Sequence, residues 1–260
     1  MGGSAQTKEG VQLDVRDGVA YVTLNAPPLN ILTADLMVSL AEAVEHAQQD
    51  RSLRAIALMA TGRAFSAGAD VGEHRPDQAP AMISAFSRLF EALGASELPL
   101  VAAVDGAALG AGFELALMAD ILLASDRSAF GQPEIRLGFF APVGVSWLAT
   151  RIGVGRALEV TCTGRKFTAA EMAAMGLVSH VVPADDIEAA LEAVLDDLRR
   201  SSGAVMRMNV RLTRQLYGRP FEEGRRTAER VFLDELMATS DVREGIAAFF
   251  EKRTPHWQHR

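Results

Sequence analysis

The sequence predicts an α/β protein whose body contains parallel strands and helices, followed by a helical C-terminal third. Short apolar runs at 53–60, 99–104 and 120–124 have the length of buried strands, and helical patterns lie between them. Because the connections are short, we expect a mainly parallel sheet with right-handed crossovers. The chain shows no internal repeat and no clear linker.

Turn and cap residues define the predicted elements. Asp17-Gly18 separates apolar runs at 11–15 and 19–24, which predicts a two-residue hairpin. Thr33 is expected to cap a helix that reaches Ala47. Further along, we expect a loop at 64–70, a helix over 79–93, a helix opening at Gly106, and helices at 157–162, 169–174, 187–198, 204–216, 222–237 and 242–250.

The composition excludes several classes of protein. The net charge is −7, from 33 acidic and 26 basic residues, and a single cysteine, Cys162, rules out an internal disulfide framework or a cysteine-based zinc site. No apolar stretch reaches 18 residues, and the opening ten residues lack the pattern of a secretory signal. We therefore expect a cytoplasmic protein without a membrane or nucleic-acid partner.

One segment departs from the acidic balance, since nine Arg and three Glu lie between Arg199 and Arg230. The simpler interpretation is a solvated helical face. The alternative is a docking site for a phosphorylated ligand or for RNA, which the overall charge opposes.

Two motifs imitate familiar sites. The glycine-rich segment 106–112 resembles a dinucleotide fingerprint, but it lies far from the N-terminus, and neither tyrosine has a lysine four residues later. Segment 64–68 differs at one residue from the nucleophile elbow of serine hydrolases. The only mid-chain histidine that could serve as its base, His180, is predicted to be an exposed strand residue. We favour neither a dehydrogenase nor a serine hydrolase.

Two glutamates are better candidates for chemistry. Glu114 is the only ionisable residue between Gly106 and Ala119, so burial would raise its pKa and suit a general acid or base; the alternative is a side chain that reaches solvent. Glu134 follows Pro133, which holds it in a rigid turn, and alone it could equally be a helix cap. The two carboxylates can meet only through the fold.

Two glycine-rich segments supply backbone N–H groups. Ala67-Gly68-Ala69 follows a strand, and Gly110-Ala111-Gly112 lies at the first turn of a helix, where unpaired N–H groups favour an anion. If the segments face each other, they form an oxyanion hole. A carboxylate pair beside such a hole suits addition of water to an α,β-unsaturated thioester.

At these residues the chain resembles the crotonase (enoyl-CoA hydratase/isomerase) superfamily. The resemblance runs from Pro28-Leu29-Asn30 through AFSAGAD, VDGAALGAGFELALMAD and FGQPEIRLG to EGIAAFFEKR. It implies a crotonase-like α/β spiral of ββα units with a C-terminal helical trimerisation region, assembled as a homotrimer or a dimer of trimers. We place the spiral core at 1–200 and the oligomerisation region at 201–260.

The resemblance also assigns roles to residues. It implies oxyanion N–H groups at Ala67 and Ala111, and catalytic carboxylates at Glu114 and Glu134. The acyl-CoA substrate is expected to contact residues in the N-terminal half and in a C-terminal helix reaching a neighbouring subunit, namely Pro28, Leu29, Ala67, Gly68, Ala69, Asp70, Ala111, Phe249 and Lys252.

The sequence departs from common hydratases at two places. Ala111 replaces a glycine, which preserves a backbone donor unless φ is positive there. After Gly138, a bulkier segment, Phe139-Phe140-Ala141-Pro142-Val143-Gly144, replaces a glycine-rich one. Together with SAGADVGEH at 66–74, this segment resembles the branch that hydrates cyclic dienoyl-CoA thioesters. The alternative is that Phe139 and Phe140 point into the protein core or a subunit interface and do not meet substrate.

The sequence therefore predicts an enoyl-CoA hydratase, a hydro-lyase that uses no metal and no cofactor beyond the CoA of its substrate. Within the same superfamily, an isomerase or a thioester hydrolase is the alternative, although those usually keep one of the two glutamates. A non-catalytic or RNA-binding member is the third hypothesis.

Overall fold

Eleven strands form two sheets in the computed structural model, which describes residues 6–8 and 10–260. The strands are β1 (Gln6–Lys8), β2 (Val11–Arg16), β3 (Val19–Leu24), β4 (Ala55–Ala60), β5 (Ala64–Ser66), β6 (Leu100–Val104), β7 (Ala107–Leu109), β8 (Ile121–Ser125), β9 (Ala129–Gly131), β10 (Phe167–Thr168) and β11 (His180–Val182). The prediction that the first ten residues are not a secretory signal falls mostly on residues outside the described part of the chain.

The described residues also form ten α-helices and four short 3₁₀ turns, of which α7 to α10 and two of the turns follow the last strand. The helices are α1 (Ala34–Gln49), α2 (Ala79–Gly94), α3 (Ala111–Leu117), α4 (Pro142–Ile152), α5 (Val154–Thr163), α6 (Ala169–Met175), α7 (Ile187–Arg199), α8 (Gly203–Leu216), α9 (Phe221–Asp234) and α10 (Ser240–Glu251). The 3₁₀ turns are Val71–His74, Pro133–Leu137, Ala184–Asp186 and Leu236–Ala238.

The chain winds as a spiral in which three successive turns, β4-β5, β6-β7 and β8-β9, each give one strand to each sheet. The larger sheet has the order β1-β2-β3-β4-β6-β8-β11, and the smaller has the order β10-β9-β7-β5. Strands β4, β6 and β8 are each followed directly by a strand of the smaller sheet, and then by α2, α3 or the Pro133–Leu137 turn. This arrangement confirms the predicted α/β spiral of ββα units.

The larger sheet is covered on both faces, which explains why its central strands read as continuous apolar runs. On one face, α1, α2 and the smaller sheet form the main core around Phe65, Phe113 and Phe130. On the other face, α7 packs Leu191 and Leu195 against residues of β3, β4 and β6. The site described below lies at the edge of the main core.

Three local predictions are confirmed. Asp17 and Gly18 have φ values of 50° and 74°, as a tight hairpin turn requires. The Thr33 side chain accepts a hydrogen bond from the Leu36 N–H and caps α1. His180 is exposed on β11, as predicted.

The helix predicted to open at Gly106 begins five residues later. Residues Ala107–Leu109 form β7, and α3 starts at Ala111 because Gly110 has φ 54° and ψ −130°, outside any helical conformation. The expected loop at 64–70 likewise begins with β5. These two short strands pair in parallel and bring the glycine-rich segments together.

The C-terminal helices include most of the arginine-rich segment, whose charges are largely paired. Arg214 of α8 meets Asp120 and the carbonyl of Ser96, which fastens this helix to the body. Arg225 and Arg226 of α9 pair with Glu222 of the same helix. These contacts favour the solvated-face interpretation over a docking site for phosphate. The division at residue 200 stays a prediction.

Among the residues described, none of the helices combines the length and the apolarity needed to span a bilayer.

Candidate active site

A cavity of about 560 Å³ lies between the two glycine-rich segments and the chain that follows Glu134. Its lining includes Ala67, Gly68 and Ala69 after β5, Gly110 and Ala111 at the start of α3, and both predicted glutamates. Most other lining groups are apolar, including Met82, Ile83 and Phe86 of α2. The volume and lining are those of a small-molecule site.

Glu114 lies at the buried end of this cavity, with a side chain only 2% exposed. Its Oε1 accepts hydrogen bonds from the N–H groups of Val143 at 2.7 Å and Gly144 at 2.9 Å, in the first turn of α4. The alternative of a glutamate reaching solvent is therefore wrong. The carboxylate of α3 caps the next helix, because Pro142 lacks an N–H and the two following amides have no helical partners.

Burial raises the pKa of Glu114 to about 7, while the amides of Gly144 and Val143 oppose the rise and the charge of Glu134 adds to it. A carboxyl with this pKa changes protonation near neutral pH. It can therefore take a proton from water and release it again at low cost.

Glu134 lies in the 3₁₀ turn Pro133–Leu137, with its carboxylate toward Gly110. A Cβ added to Gly110 would lie 3.4 Å from Oε2 of Glu134. Burial raises the pKa of Glu134, while its own backbone and the charge of His74 oppose the rise. With its amide nitrogen toward this carboxylate, the buried side chain of Gln132 donates to Glu134 and limits its rotation.

The predicted donor at Ala67 needs a correction. The Ala67 N–H donates to the carbonyl of Leu29 at 2.9 Å, and the Gly68 N–H donates to Oγ of Ser66 at 3.2 Å. The Ala69 N–H has no hydrogen-bond partner in the described part of the chain. The amide that this segment offers to a ligand is therefore that of Ala69, since the Ala67 amide is already used to hold the segment in place.

The second donor is retained at Ala111, the first residue of α3. Ala111 is not among the described residues with positive φ, so the replacement of glycine at this position does not reorient the amide. Its N–H precedes any intrahelical partner. A Cβ placed on Gly68 would lie 3.7 Å from the Ala111 nitrogen, so the two glycine-rich segments are neighbours, as predicted.

The segment after Gly138 forms part of the cavity wall. Phe139 and Phe140 both line the cavity and are 38% and 65% exposed. The alternative that these rings fill the core is therefore wrong, and the alternative of a subunit interface stays open. The segment is held by two contacts to the glutamates: the Phe139 N–H donates to the Glu134 carbonyl, and α4 is capped by Glu114.

Other predicted contact residues lie outside the cavity lining. The Pro28 carbonyl accepts from the Arg63 N–H, and the Leu29 carbonyl accepts from the Ala67 N–H. These bonds place Pro28 and Leu29 beside β5. Asp70 caps the 3₁₀ turn Val71–His74 by accepting from the Gly72 N–H. Phe249 and Lys252 end α10, where Phe249 is 78% exposed.

The serine hydrolase alternative has no geometric support. Ser66 is fully buried, and its hydroxyl donates to the Asn30 carbonyl, so it is not positioned as a nucleophile. His180 is exposed on a strand of the other sheet. No cluster of three or more His, Cys, Asp or Glu able to hold a metal occurs among the described residues, and independence from a metal stays a prediction.

Comparison with known proteins agrees with this geometry. The sequence model of the enoyl-CoA hydratase/isomerase family matches residues 14–260. The chain belongs to this family, within the crotonase superfamily. A probable enoyl-CoA hydratase of Mycobacterium bovis is 39% identical over 257 residues, which covers 98% of this chain and all of the relative.

Two further comparisons bear on activity and fold. The cyclohexa-1,5-dienecarbonyl-CoA hydratase of Thauera aromatica is 37% identical over 94% of this chain and 95% of its own. The crystal structure of an enoyl-CoA hydratase of Mycobacterium smegmatis superimposes with a TM-score of 0.90 at 28% identity, covering 96% of this chain and 99% of that one. This chain is therefore a hydratase of the family, and hydratases are hydro-lyases.

Two site residues were not singled out from the sequence. Gln132 belongs to the motif FGQPEIRLG. Its position two residues before Glu134 is the only sequence signal of its contact with that carboxylate. His74 ends the segment SAGADVGEH, whose resemblance to the cyclic dienoyl-CoA branch assigns no role to this side chain. Only the fold places it in the cavity.

The raised pKa of Glu114 predicts a pH-dependent stability. The folded protein holds this proton more strongly than the unfolded chain, so stability falls as pH rises from about 4.5 through 7. Across this window, E114Q should gain about 3 kcal/mol in the free energy of unfolding relative to the parent protein, because each displaced pH unit corresponds to about 1.4 kcal/mol. Urea unfolding at pH 5 and pH 8 measures this difference.

Glu91, exposed on α2, provides the control. E91Q should follow the parent protein at both pH values. A difference between E114Q and the parent that does not change with pH would show that the Glu114 carboxyl titrates normally.

Proposed function

We propose that this cavity binds an enoyl-CoA thioester and adds water across its 2,3 double bond. The observation that supports this proposal most strongly is the meeting of two raised-pKa carboxyls with two available backbone amides in one apolar cavity. Water addition needs a base, an acid and stabilisation of an enolate oxygen. The four groups match those needs.

In the proposed mechanism, the thioester oxygen accepts from the N–H groups of Ala69 and Ala111. Glu114 takes a proton from water as the water oxygen bonds to the β-carbon, and the π electrons move toward the thioester oxygen. The resulting enolate collapses as Glu134 gives its proton to the α-carbon. Each proton-transfer group contributes roughly 10²–10⁴-fold, and exchange with solvent restores both carboxyls.

The acyl group is proposed to be compact or cyclic. Phe139 and Phe140 present apolar ring surface to the cavity, and such surface suits a planar ring better than a long flexible chain. The relative from Thauera aromatica is named for a cyclic dienoyl substrate. Because apolar packing discriminates by only about 1–3 kcal/mol per methylene, we expect preference rather than exclusion.

The active unit is proposed to be a homotrimer or a dimer of trimers located in the cytoplasm. Phe249 and Phe250 on α10 are 78% and 77% exposed, and Phe232 and Leu233 on α9 are also exposed. Exposed apolar side chains of this size favour contact with another copy of the chain. Pro28, Leu29, Asp70 and Lys252 are proposed to contact CoA, with Phe249 and Lys252 supplied by a neighbouring subunit.

The carboxyl pair is tested by kinetics with crotonyl-CoA. E114Q and E134Q should each lower kcat by at least about 10²-fold while leaving KM nearly unchanged, because the loss belongs to the transition state. The double variant should lose far less than the product of the two effects. E91Q again serves as the control, and full hydration by either single variant would exclude the two-glutamate mechanism.

The acyl preference is tested with crotonyl-CoA, a cyclic dienoyl-CoA and C10–C16 linear enoyl-CoA thioesters. The compact or cyclic substrates should have kcat/KM values about 10-fold or more above the long-chain ones. F139A and F140A should reduce that ratio, whereas L158A, on an exposed part of α5 outside the cavity lining, should not. An unchanged ratio in both cavity variants would remove the support for a cyclic substrate.

A further inference from the structure

His74 is a third titratable side chain in the cavity, and the mechanism above does not use it. It ends the 3₁₀ turn Val71–His74, which begins two residues after the Ala67-Gly68-Ala69 segment. The half-buried side chain lines the same cavity as Glu114 and Glu134. Its charge also lowers the pKa of Glu134, although burial of that carboxyl has the larger and opposite effect.

One nitrogen of the ring is fixed by the backbone. Nδ1 of His74 lies 2.9 Å from the carbonyl oxygen of Asp70. A carbonyl only accepts, so Nδ1 carries the hydrogen and the neutral ring keeps its lone pair on Nε2. The Asp70 side chain in turn caps the same turn, so the carbonyl that holds the ring is itself held.

The ring is also fixed by packing. Its centroid lies 4.9 Å from that of Phe139, with the planes tilted by 55°. Phe139 is anchored through its N–H to the Glu134 carbonyl. The position of Nε2 is therefore set by the Asp70 carbonyl and by Phe139, which lines the cavity.

Nε2 has no hydrogen-bond partner in the described part of the chain. Among the lining residues, Met82, Ile83 and Phe86 of α2 offer no donor, and the exposed Arg136 donates to the Thr163 carbonyl. A hydrocarbon acyl group that fills this region would remove water from Nε2 and give nothing in return. A site with an unused acceptor discriminates against ligands that cannot satisfy it.

We propose that His74 is a specificity-determining residue that selects acyl-CoA thioesters carrying a hydroxyl group on the acyl chain beyond the β-carbon, with the hydroxyl donating to Nε2. This inference rests on the proposed function, because it assigns the same cavity to the acyl group. A hydroxyl fits better than a carboxylate, since the lining holds two acidic residues, Glu114 and Glu134, against one basic residue, the exposed Arg136.

The test is equilibrium binding, which does not depend on turnover. Each probe pair has the same number of heavy atoms and exchanges a terminal hydroxyl for a methyl group: 4-hydroxybutyryl-CoA with pentanoyl-CoA, 5-hydroxypentanoyl-CoA with hexanoyl-CoA, and 6-hydroxyhexanoyl-CoA with heptanoyl-CoA. Calorimetry at pH 8 should give a Kd about 5-fold or more lower for the hydroxylated member of at least one pair.

Two substitutions separate Nε2 from the rest of the ring. H74Q places an amide group near the position of Nε2 and should keep the preference. H74N keeps a donor near the position of Nδ1, lacks Nε2, and should bring the Kd ratio close to one. H180N, on exposed β11, is the matched control and should behave as the parent protein.

Several outcomes would overturn the inference. They are equal Kd values for every pair in the parent protein, a preference that survives H74N, and a preference lost in H74Q and H74N alike, which would assign the effect to ring packing. A protein that binds with the expected preference but does not hydrate any enoyl-CoA would contradict the proposed function and leave the role of His74 in place.

Discussion

The close approach of two backbone segments underlies the rest of the site. At Gly112, an added Cβ would lie 2.6 Å from the Ser66 carbonyl oxygen, a distance that no side chain tolerates. Gly68, with φ 107°, would place a Cβ 3.0 Å from the Leu109 carbonyl oxygen. Strands β5 and β7 of the smaller sheet, which precede these two segments, pair with each other. Because the segments meet without side chains between them, two backbone amides become available to one ligand atom, which is the requirement of an oxyanion hole.

Glu114 then joins this backbone frame to the cavity wall. It lies three residues after Ala111 and accepts two N–H groups at the start of α4, so one buried carboxylate positions the wall that carries Phe139 and Phe140. The same bonds oppose the rise in its pKa that burial causes. Structure and chemistry are coupled here, because a fully desolvated carboxylate would stay protonated and a solvated one would be a weak base.

Much of the fold could be predicted from the sequence where local physics decides. Thr33, Asp17 and Gly18 act through their own neighbours, and the buried strands of the larger sheet are apolar throughout. The start of α3 could not be predicted, because a left-handed φ at Gly110 depends on the strand pairing that precedes it. The choice between the amides of Ala67 and Ala69 was also hidden, since it depends on a hydrogen bond to Leu29, 38 residues away. His74 enters the cavity only through the path of the chain after Asp70.

The most direct measurement of the central claim is the infrared frequency of the thioester carbonyl in bound butyryl-CoA. Two amide donors at the carbonyl oxygen should lower its stretching frequency relative to free butyryl-CoA in water. G112A should diminish this shift by separating the segments, whereas G155A, with open space around the added methyl group, should preserve it. A carbonyl band that does not move on binding to the parent protein, or an undiminished shift in G112A, would contradict the account.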